Sequence, residues 1–491
     1  MNIVLINPPF VFTDKSSITS PQCLGLLSIG ANLIEKKHSV HVIDALFEGK
    51  NNIVSSDKRI KVGLTNKEII NKIHPSTDLI GLSVPFTHLA FIAHKLVRDI
   101  KQTYPGIPIV MGGVYPSTQP KMALNSDADY IVLGEGEEII IELIEHLFNQ
   151  KEFPINGVIS SKNHSSKNNF KSVYIQNIES LPALTRNLIP FELYCTRSQR
   201  NTLGLRTASI ITSRGCPFDC DFCSVHPIAG YKWRAYSPKR VLNEIDYLME
   251  TYNINHLEIE DDNFTLHKDR SLEILEGIKE RNSKENISWS ALNGLRIDTL
   301  DEKIIRTIKE SNVKHINLAL ENGDQEVLSL MNKKLSLTKV IEVAKNLNKY
   351  NISYFFFVIV GYPGETKERF KNAVQFYKEL KSVVRKVSFI PFVAQPYPGT
   401  KLYDRCIKEG YIDPDIAFSV NKSVFFSTKD NYLIETNDFN KKTLLKRKKI
   451  IMKLNPKLLR FRNTMEIILP KKLLSPAKSL YRYGKTFYDN L

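Results

Sequence analysis

Two successive blocks of alternating strand and helix limit what this chain can fold into. In the first 150 residues, short apolar runs at Asn2 to Ile6, Ser39 to Ile43, Leu79 to Val84, Ile107 to Met111 and Tyr130 to Leu133 read as strands. Helical apolar spacing lies between and after them, over Leu24 to Lys36, His88 to Gln102 and on to Phe148. Strands that alternate with helices predict a doubly wound, Rossmann-like parallel sheet, with its ligand crevice at the carboxyl ends of the strands. A second alternation with longer units begins at Ala208. Its candidate strands are Ser209–Thr212, His256–Glu260, Ser288–Leu292, His315–Leu320, Tyr354–Val360 and Lys386–Ile390. Six strand–helix units predict a partial (β/α)6 barrel instead of a full eight. Residues 151–205 are less regular, and Ser160 to Lys171 is rich in Lys, Ser and Asn, which reads as a loop. The expected α/β organisation is therefore an open domain over 1–150, a linker over 151–205, a barrel over 206–410 and a basic, mostly helical region over 411–491.

A composition of 42% hydrophobic and 24% charged residues is that of a globular protein with a sizeable core. Met1 to Phe12 is apolar but lacks a basic start and contains Asn7-Pro8-Pro9, so it reads as a strand and loop and not as a secretory signal. The most apolar run, Tyr354 to Val360, is far short of the roughly 20 residues that cross a bilayer. A cytoplasmic location is expected. The formal charge is +16, yet Lys441 to Leu491 carries 15 Lys and Arg against 2 Asp and Glu, a net of +13. The rest of the chain is left with only +3, so no nucleic-acid partner is expected for the body of the protein. From Lys441 to Leu474, basic residues alternate with Leu444, Leu445, Ile450, Ile451, Leu454, Leu458 and Leu459. Such a helix suits peripheral contact with an anionic membrane. It equally suits packing on the barrel with a solvated basic face.

Three of the six cysteines lie within eight residues, in Cys216-Pro217-Phe218-Asp219-Cys220-Asp221-Phe222-Cys223. A tight cluster in a long chain argues for metal over a disulfide framework. Thiolates are the usual ligands of iron–sulfur clusters, and three of them leave the fourth iron of a cubane open to an external ligand. Zinc is the rival; it wants four ligands, there is no second CxxC, and His226 is the one candidate for the fourth. Cys23, Cys195 and Cys406 are scattered and read as small apolar residues.

The spacing CxxxCxΦC after the first barrel strand resembles the radical SAM superfamily. The resemblance covers about residues 208–402. It implies a [4Fe-4S] cluster on Cys216, Cys220 and Cys223, S-adenosylmethionine (SAM) bound to the open iron, and release of a 5′-deoxyadenosyl radical. Phe222 takes the aromatic position whose backbone meets adenine in the family. Asp261 and Asp262, in Glu258 to Phe264, fall where the family binds the amino end of SAM. Arg296, in Asn293-Gly294-Leu295-Arg296, is a candidate partner for its carboxylate. Glu321 ends the fourth strand. Gly361 and Gly364, in Gly361-Tyr362-Pro363-Gly364-Glu365, resemble the glycine segment near adenine. Each acid could instead cap a helix or pair with a lysine.

An open sheet ahead of such a barrel resembles the cobalamin-binding subgroup of that superfamily. Asn7 and Pro8 after the first strand, Gly25 at the first helix, Ser83 after the third strand, Gly112 and Gly113 after the fourth, and Gly134, Glu135 and Gly136 after the fifth carry the resemblance. Glycine at a strand end lets backbone approach a bulky ligand. Many cobalamin proteins place an axial histidine in the loop after the first strand. Residues 8–24 contain none, so cobalamin would bind without a protein imidazole, or the domain is a scaffold that has lost it. Members of the subgroup often methylate unactivated carbon, which implies a metabolite, lipid or natural-product substrate and an electron donor such as flavodoxin or ferredoxin. A cobalamin-dependent cyclisation, rearrangement or oxidation, and a non-catalytic cofactor-binding regulator, are the other readings.

Overall fold

Apolar runs separated by amphipathic helices close into two sheets, one parallel throughout and one parallel but for an edge strand. The computed structural model describes residues 1–12, 18–56, 59–149, 152–161, 170–195, 205–384, 387–412 and 434–455. The front sheet contains β1 (Asn2–Asn7), β3 (Ser39–Asp44), β6 (Leu79–Ser83), β7 (Ile109–Gly112), β8 (Tyr130–Val132) and β9 (Val158–Ser160), in the order β3-β1-β6-β7-β8-β9. All neighbours are parallel except β8 and β9. The stretch between the two blocks therefore supplies an edge strand as well as connections. Strand order reverses between β1 and β6, the place where open α/β sheets offer a crevice. A small antiparallel sheet of β2 (Phe10–Phe12), β4 (Ile53–Ser56) and β5 (Arg59–Val62) sits beside it and is not foreseen from the sequence. Its strands are too short for alternation to stand out.

The barrel sheet runs in chain order through β10 (Thr207–Ile210), β13 (His256–Ile259), β14 (Ser288–Leu295), β15 (Val313–Glu321), β16 (Tyr354–Val360) and β17 (Phe389–Val393), with every neighbour parallel. The hairpin β11 (Ser213–Arg214) and β12 (Arg234–Ala235) brackets the cysteine segment. Helix starts are fixed locally: Ser237, Asp301, Asp324, Thr366 and Thr400 each accept a main-chain N–H from the first turn, an effect of about 1 kcal/mol apiece. In β16, Tyr354, Phe356, Val358 and Val360 are buried under the helices, while Phe355, Phe357 and Ile359 are half-buried on the opposite, lumen face.

The sixth strand begins three residues later than the sequence predicts, and it tolerates Pro391 because of its place at the edge. Phe389 N–H and C=O both face away from β16 and are taken by the Asn455 side chain at 2.8 Å each. Pro391, two residues on, has its missing donor on that same open side, where no ladder bond is lost. Asn455 follows the helix Lys441–Leu454, whose Leu444, Arg447 and Ile451 are buried. The helix thus lays its apolar face on its own barrel instead of offering it to a membrane. The remainder of that basic pattern, 456–474 with Leu458 and Leu459, lies outside the described residues, as does most of the polar loop 160–171. Among the described residues no helix is long and apolar enough to cross a membrane.

Candidate functional site

The cysteine loop is held at both ends by main-chain bonds. Asp261, at the end of β13, accepts from Thr212 N (2.5 Å), Thr212 Oγ1 (2.6 Å) and Ser213 Oγ (2.6 Å). Asp262 accepts from Gly215 N at 3.0 Å. Gly215 has φ +81, and a Cβ there would lie 2.5 Å from Lys232 O. Farther along, Asp221 N donates to Met331 O (3.0 Å), Asn332 Nδ2 to Asp219 O (2.7 Å) and Leu402 N to Asp221 O (2.8 Å). The two acids therefore shape the loop, and Asp261 has both oxygens engaged by its own barrel. His226 spends its Nε2 on Cys216 O at 3.2 Å and stacks on Tyr231 at 3.8 Å, which leaves it poorly placed as a fourth zinc ligand. Burial pushes the Cys220 thiol up, and that of Cys223 to about 12. Among the described residues no group of three His, Cys, Asp or Glu is gathered tightly enough for a single ion; a cubane takes thiolates at its corners, farther apart. Phe222 is half-buried against the barrel core.

Around the loop, Arg296 stands over the Phe218 ring, its Cζ 3.4 Å from the centroid, with Nε on Asp298 (3.0 Å) and Nη2 on Lys333 O (2.9 Å). Glu321 pairs with Lys333 at 3.0 Å, both buried, and adopts φ +68 at the strand end. Gly361 and Gly364 have φ +78 and +93, which require glycine in the turn that follows β16. Asn263 Oδ1 and both amide atoms of Gln395 are buried with no protein partner, and Asn263 Nδ2 stands 3.9 Å from Cys216 Sγ. The open Oδ1 of Asn263, beside the thiol loop, is what a bound polar ligand would satisfy.

The front sheet faces this region across a cavity of about 960 Å³. Gly25, Ser83, Gly112, Gly113, Gly134, Glu135 and Gly136 all line it, together with Arg214 and Asp262 from the barrel side. Its walls contain no histidine among the described residues. Asp262 is exposed to this cavity, and desolvation by the protein walls around it pushes its carboxyl up to about 6. Asn7 and Pro8 are placed elsewhere. Asn7 is buried and donates from Nδ2 to Asp44 (2.8 Å), which also accepts from Tyr194 OH (2.5 Å) and Phe47 N (3.1 Å). The glycines differ in reason too. A Cβ on Gly134 would strike Val173 O at 2.2 Å, and one on Gly113 would meet Val84 O at 2.9 Å, so these two serve the chain's own packing. At Gly25 a Cβ would meet nothing within 4 Å, and at Gly112 only Val132 at 3.7 Å; there the main chain is open to a ligand.

A bridge of buried charges, not foreseen from the sequence, joins the two halves. Glu137 accepts from Ser28 Oγ (2.7 Å) and Arg214 Nη2 (2.8 Å). Glu135 accepts from Ile175 N (2.7 Å), Arg234 Nη1 (2.5 Å) and Arg214 Nη1 (3.2 Å). Burial alone would raise the Glu137 carboxyl, but the Arg214 charge and its hydrogen bond win and hold it below its usual range. Arg214 stands two residues before Cys216, so the turn after β8 is tied to the cysteine loop. The signal in the sequence was an arginine beside the motif, with nothing to say which acid it meets.

The sequence profile of the B12 binding domain matches residues 22–144, and that of the Radical SAM superfamily matches residues 210–377. The chain is 29% identical to an uncharacterized methyltransferase of Pyrococcus horikoshii over 83% of both chains. It is 27% identical to the cytidylyl-2-hydroxyethylphosphonate methyltransferase of Streptomyces wedmorensis, over 84% of this chain and 83% of the other. Its fold is shared with the cobalamin-dependent SAM radical enzyme OxsB, with a TM-score of 0.72 and 17% identity over 99% of this chain and 71% of that one. TsrM from Kitasatospora setae, a radical SAM methyltransferase solved with cobalamin and a [4Fe-4S] cluster, gives 0.62 and 17% over 83% and 75%. The chain thus carries a B12 binding domain ahead of a radical SAM domain.

Proposed function

We propose that this chain is a cobalamin-dependent radical SAM methyltransferase acting on an unactivated carbon of a small-molecule or lipid substrate. The observation that carries the reading is the cavity that runs from the glycine-lined crevice of the front sheet to Arg214 and Asp262 beside the cysteine loop. Cys216, Cys220 and Cys223 would hold a [4Fe-4S] cluster, and the open Oδ1 of Asn263 suits a polar ligand such as SAM next to it. Gly25 and Gly112 offer bare main chain to cobalamin, and walls without histidine among the described residues fit binding without a protein imidazole. When bound, the cluster with SAM supplies a radical that takes a hydrogen atom, and cobalamin supplies the methyl group.

The protein's own part is to hold and to shield. Asp261 and Asp262 fix the entry to the cysteine loop, and Arg214 locks that entry to the front sheet through Glu135 and Glu137. The half-buried Phe355, Phe357 and Ile359 line the lumen beside Phe392, which packs edge-on against Phe357 at 5.2 Å. That wall suits a substrate with an apolar body. A flavodoxin or ferredoxin would supply the electron. A second reading, radical cyclisation without methylation, is favoured by 29% identity to the anaerobic magnesium-protoporphyrin IX monomethyl ester cyclase of a Synechocystis strain, over 72% of this chain and 67% of the other.

The test is anaerobic reconstitution with iron, sulfide and hydroxocobalamin, followed by absorption spectra and an assay for 5′-deoxyadenosine released from SAM. The Cys216→Ala/Cys220→Ala/Cys223→Ala variant is expected to lose cleavage entirely while still binding cobalamin. Methyl transfer predicts S-adenosylhomocysteine beside 5′-deoxyadenosine, and cyclisation predicts 5′-deoxyadenosine without S-adenosylhomocysteine. Zinc in the protein with no SAM cleavage would overturn the reading.

A further inference from the structure

The turn Gly361–Glu365 ends β16 at the ligand end of the barrel, and its shape is set by a helix about 80 residues downstream. Glu365 is fully buried. Its Oε2 accepts from Gly361 N (2.8 Å) and Arg447 Nη1 (2.8 Å), and its Oε1 accepts from Asn322 Nδ2 (3.1 Å). Arg447 Nη1 also donates to Glu365 O at 2.9 Å, so one guanidinium grips both the carboxylate and the main chain of the same residue. Phe370 and Phe439 flank that guanidinium at 5.0 and 5.3 Å. One turn earlier on the helix, Leu444 fills the space that a Cβ on Gly361 would need, at 2.4 Å. Arg447 is itself buried, although it sits in the most basic segment of the chain.

We infer that the helix Lys441–Leu454 is a working part of the SAM site, with Arg447 as the positioning residue of the Gly361–Glu365 turn. The inference rests on the radical SAM reading and extends it to a residue outside the barrel. Glu365 ties the end of β16 to Asn322 at the end of β15, so its carboxylate fixes two neighbouring strand ends at once. A buried carboxylate without its cation takes up a proton or draws in water. Its bonds to Gly361 N and Asn322 then loosen, and the turn loses its fixed approach to the ligand. Arg447 touches neither the cysteine loop nor the cavity of the front sheet, so its loss is expected to fall on SAM affinity.

The test uses the reconstituted full chain with cluster and cobalamin, and compares wild type, Arg447→Lys, Arg447→Met and the double variant Glu365→Gln/Arg447→Met. The readouts are KM and kcat for SAM cleavage, followed by release of deoxyadenosine, with iron and cobalamin content measured in the same samples. Arg447→Met is expected to raise KM about tenfold or more with kcat within about threefold, and Arg447→Lys to recover part of the affinity. The double variant buries no lone charge, so it folds even where Arg447→Met does not, and its KM is expected to stay raised about fivefold or more because the grip on Glu365 O is gone. A wild-type KM in either Met variant, with lower thermal stability alone, would make Arg447 a fold staple and overturn the inference. Failure of the wild type to bind or cleave SAM would remove the radical SAM reading itself, and the inference with it.

Discussion

Replacing Glu137 by Gln should loosen the joint between the two halves by an amount that the structure allows to be worked out. The Glu137 side chain is 5% exposed and that of Arg214 16%, so their 2.8 Å bond is a buried ion pair. Removing one partner of such a pair typically costs about 3–5 kcal/mol, because a charge is left uncompensated. Here Arg214 keeps Glu135 at 3.2 Å, and a Gln carbonyl still accepts from Ser28. We therefore expect about 2 kcal/mol, below that range because the cation keeps a partner. The assay is urea unfolding of the apoprotein followed by fluorescence of Trp233 and Trp289, as a double-mutant cycle with Arg214→Met. A coupling energy of about 1.5 kcal/mol is expected for groups in direct contact. The pH profile gives a second check. The native Glu137 carboxyl lies below its unfolded value of about 4.5, so the folded state binds fewer protons there. Its contribution is complete above that pH and is lost as pH falls through the native value. The gap between wild type and Glu137→Gln should hence be constant from neutral to alkaline pH and shrink only in acid. A coupling below about 0.5 kcal/mol, the scatter seen for independent sites, would refute the reasoning.

Three further outcomes are expected. Gly113→Ala forces a side chain to φ +104 and to 2.9 Å from Val84 O; it should cost about 1–3 kcal/mol and lower the cobalamin content of the reconstituted protein, measured by absorption after gel filtration. Asn455→Ala strips the buried Phe389 N–H and C=O of their partners; it should cost about 2–4 kcal/mol in urea unfolding, at about 1–2 for each orphaned group. His256 is buried within β13 beside Ser288 and is held at about 4 by burial. Its native pKa lies below the unfolded 6.5, so stability is complete above pH 6.5 and falls by up to about 3 kcal/mol as pH drops through 4; His256→Gln should flatten that part of the stability profile.

What the sequence made legible was whatever depends on neighbours along the chain. Strand and helix runs, the order of the barrel and the contiguous cysteines of Cys216–Cys223 need only local spacing to be seen. The glycines after β7 and β8 were legible as positions but not as reasons, because Val84 and Val173, the groups that forbid a Cβ at Gly113 and Gly134, are far from them in sequence. Asn7 could not be separated from a ligand-facing residue without its partner Asp44, 37 positions away. Glu135 reads as part of a glycine turn, whereas its carboxylate is taken by Arg214 and Arg234, 79 and 99 positions on. Buried polar groups must be paired, and the identity of the pair is a property of topology that no local window contains.

The basic tail shows the same limit from the side of charge. A count over Lys441–Leu491 treats its 15 cations as alike, and a net of +13 invites a surface role. In the described part of that tail, Arg447 has a side chain only 4% exposed and is paired with a carboxylate that is 1% exposed. Its neighbours in the helix do what a charge count expects, but a guanidinium between two aromatic rings and a buried acid contributes nothing to the outer field. Composition measures the sum of charges, while packing decides which of them is withdrawn into a buried pair. A helix whose totals suit a membrane surface is, through Leu444, Arg447 and Ile451, packed on its own barrel.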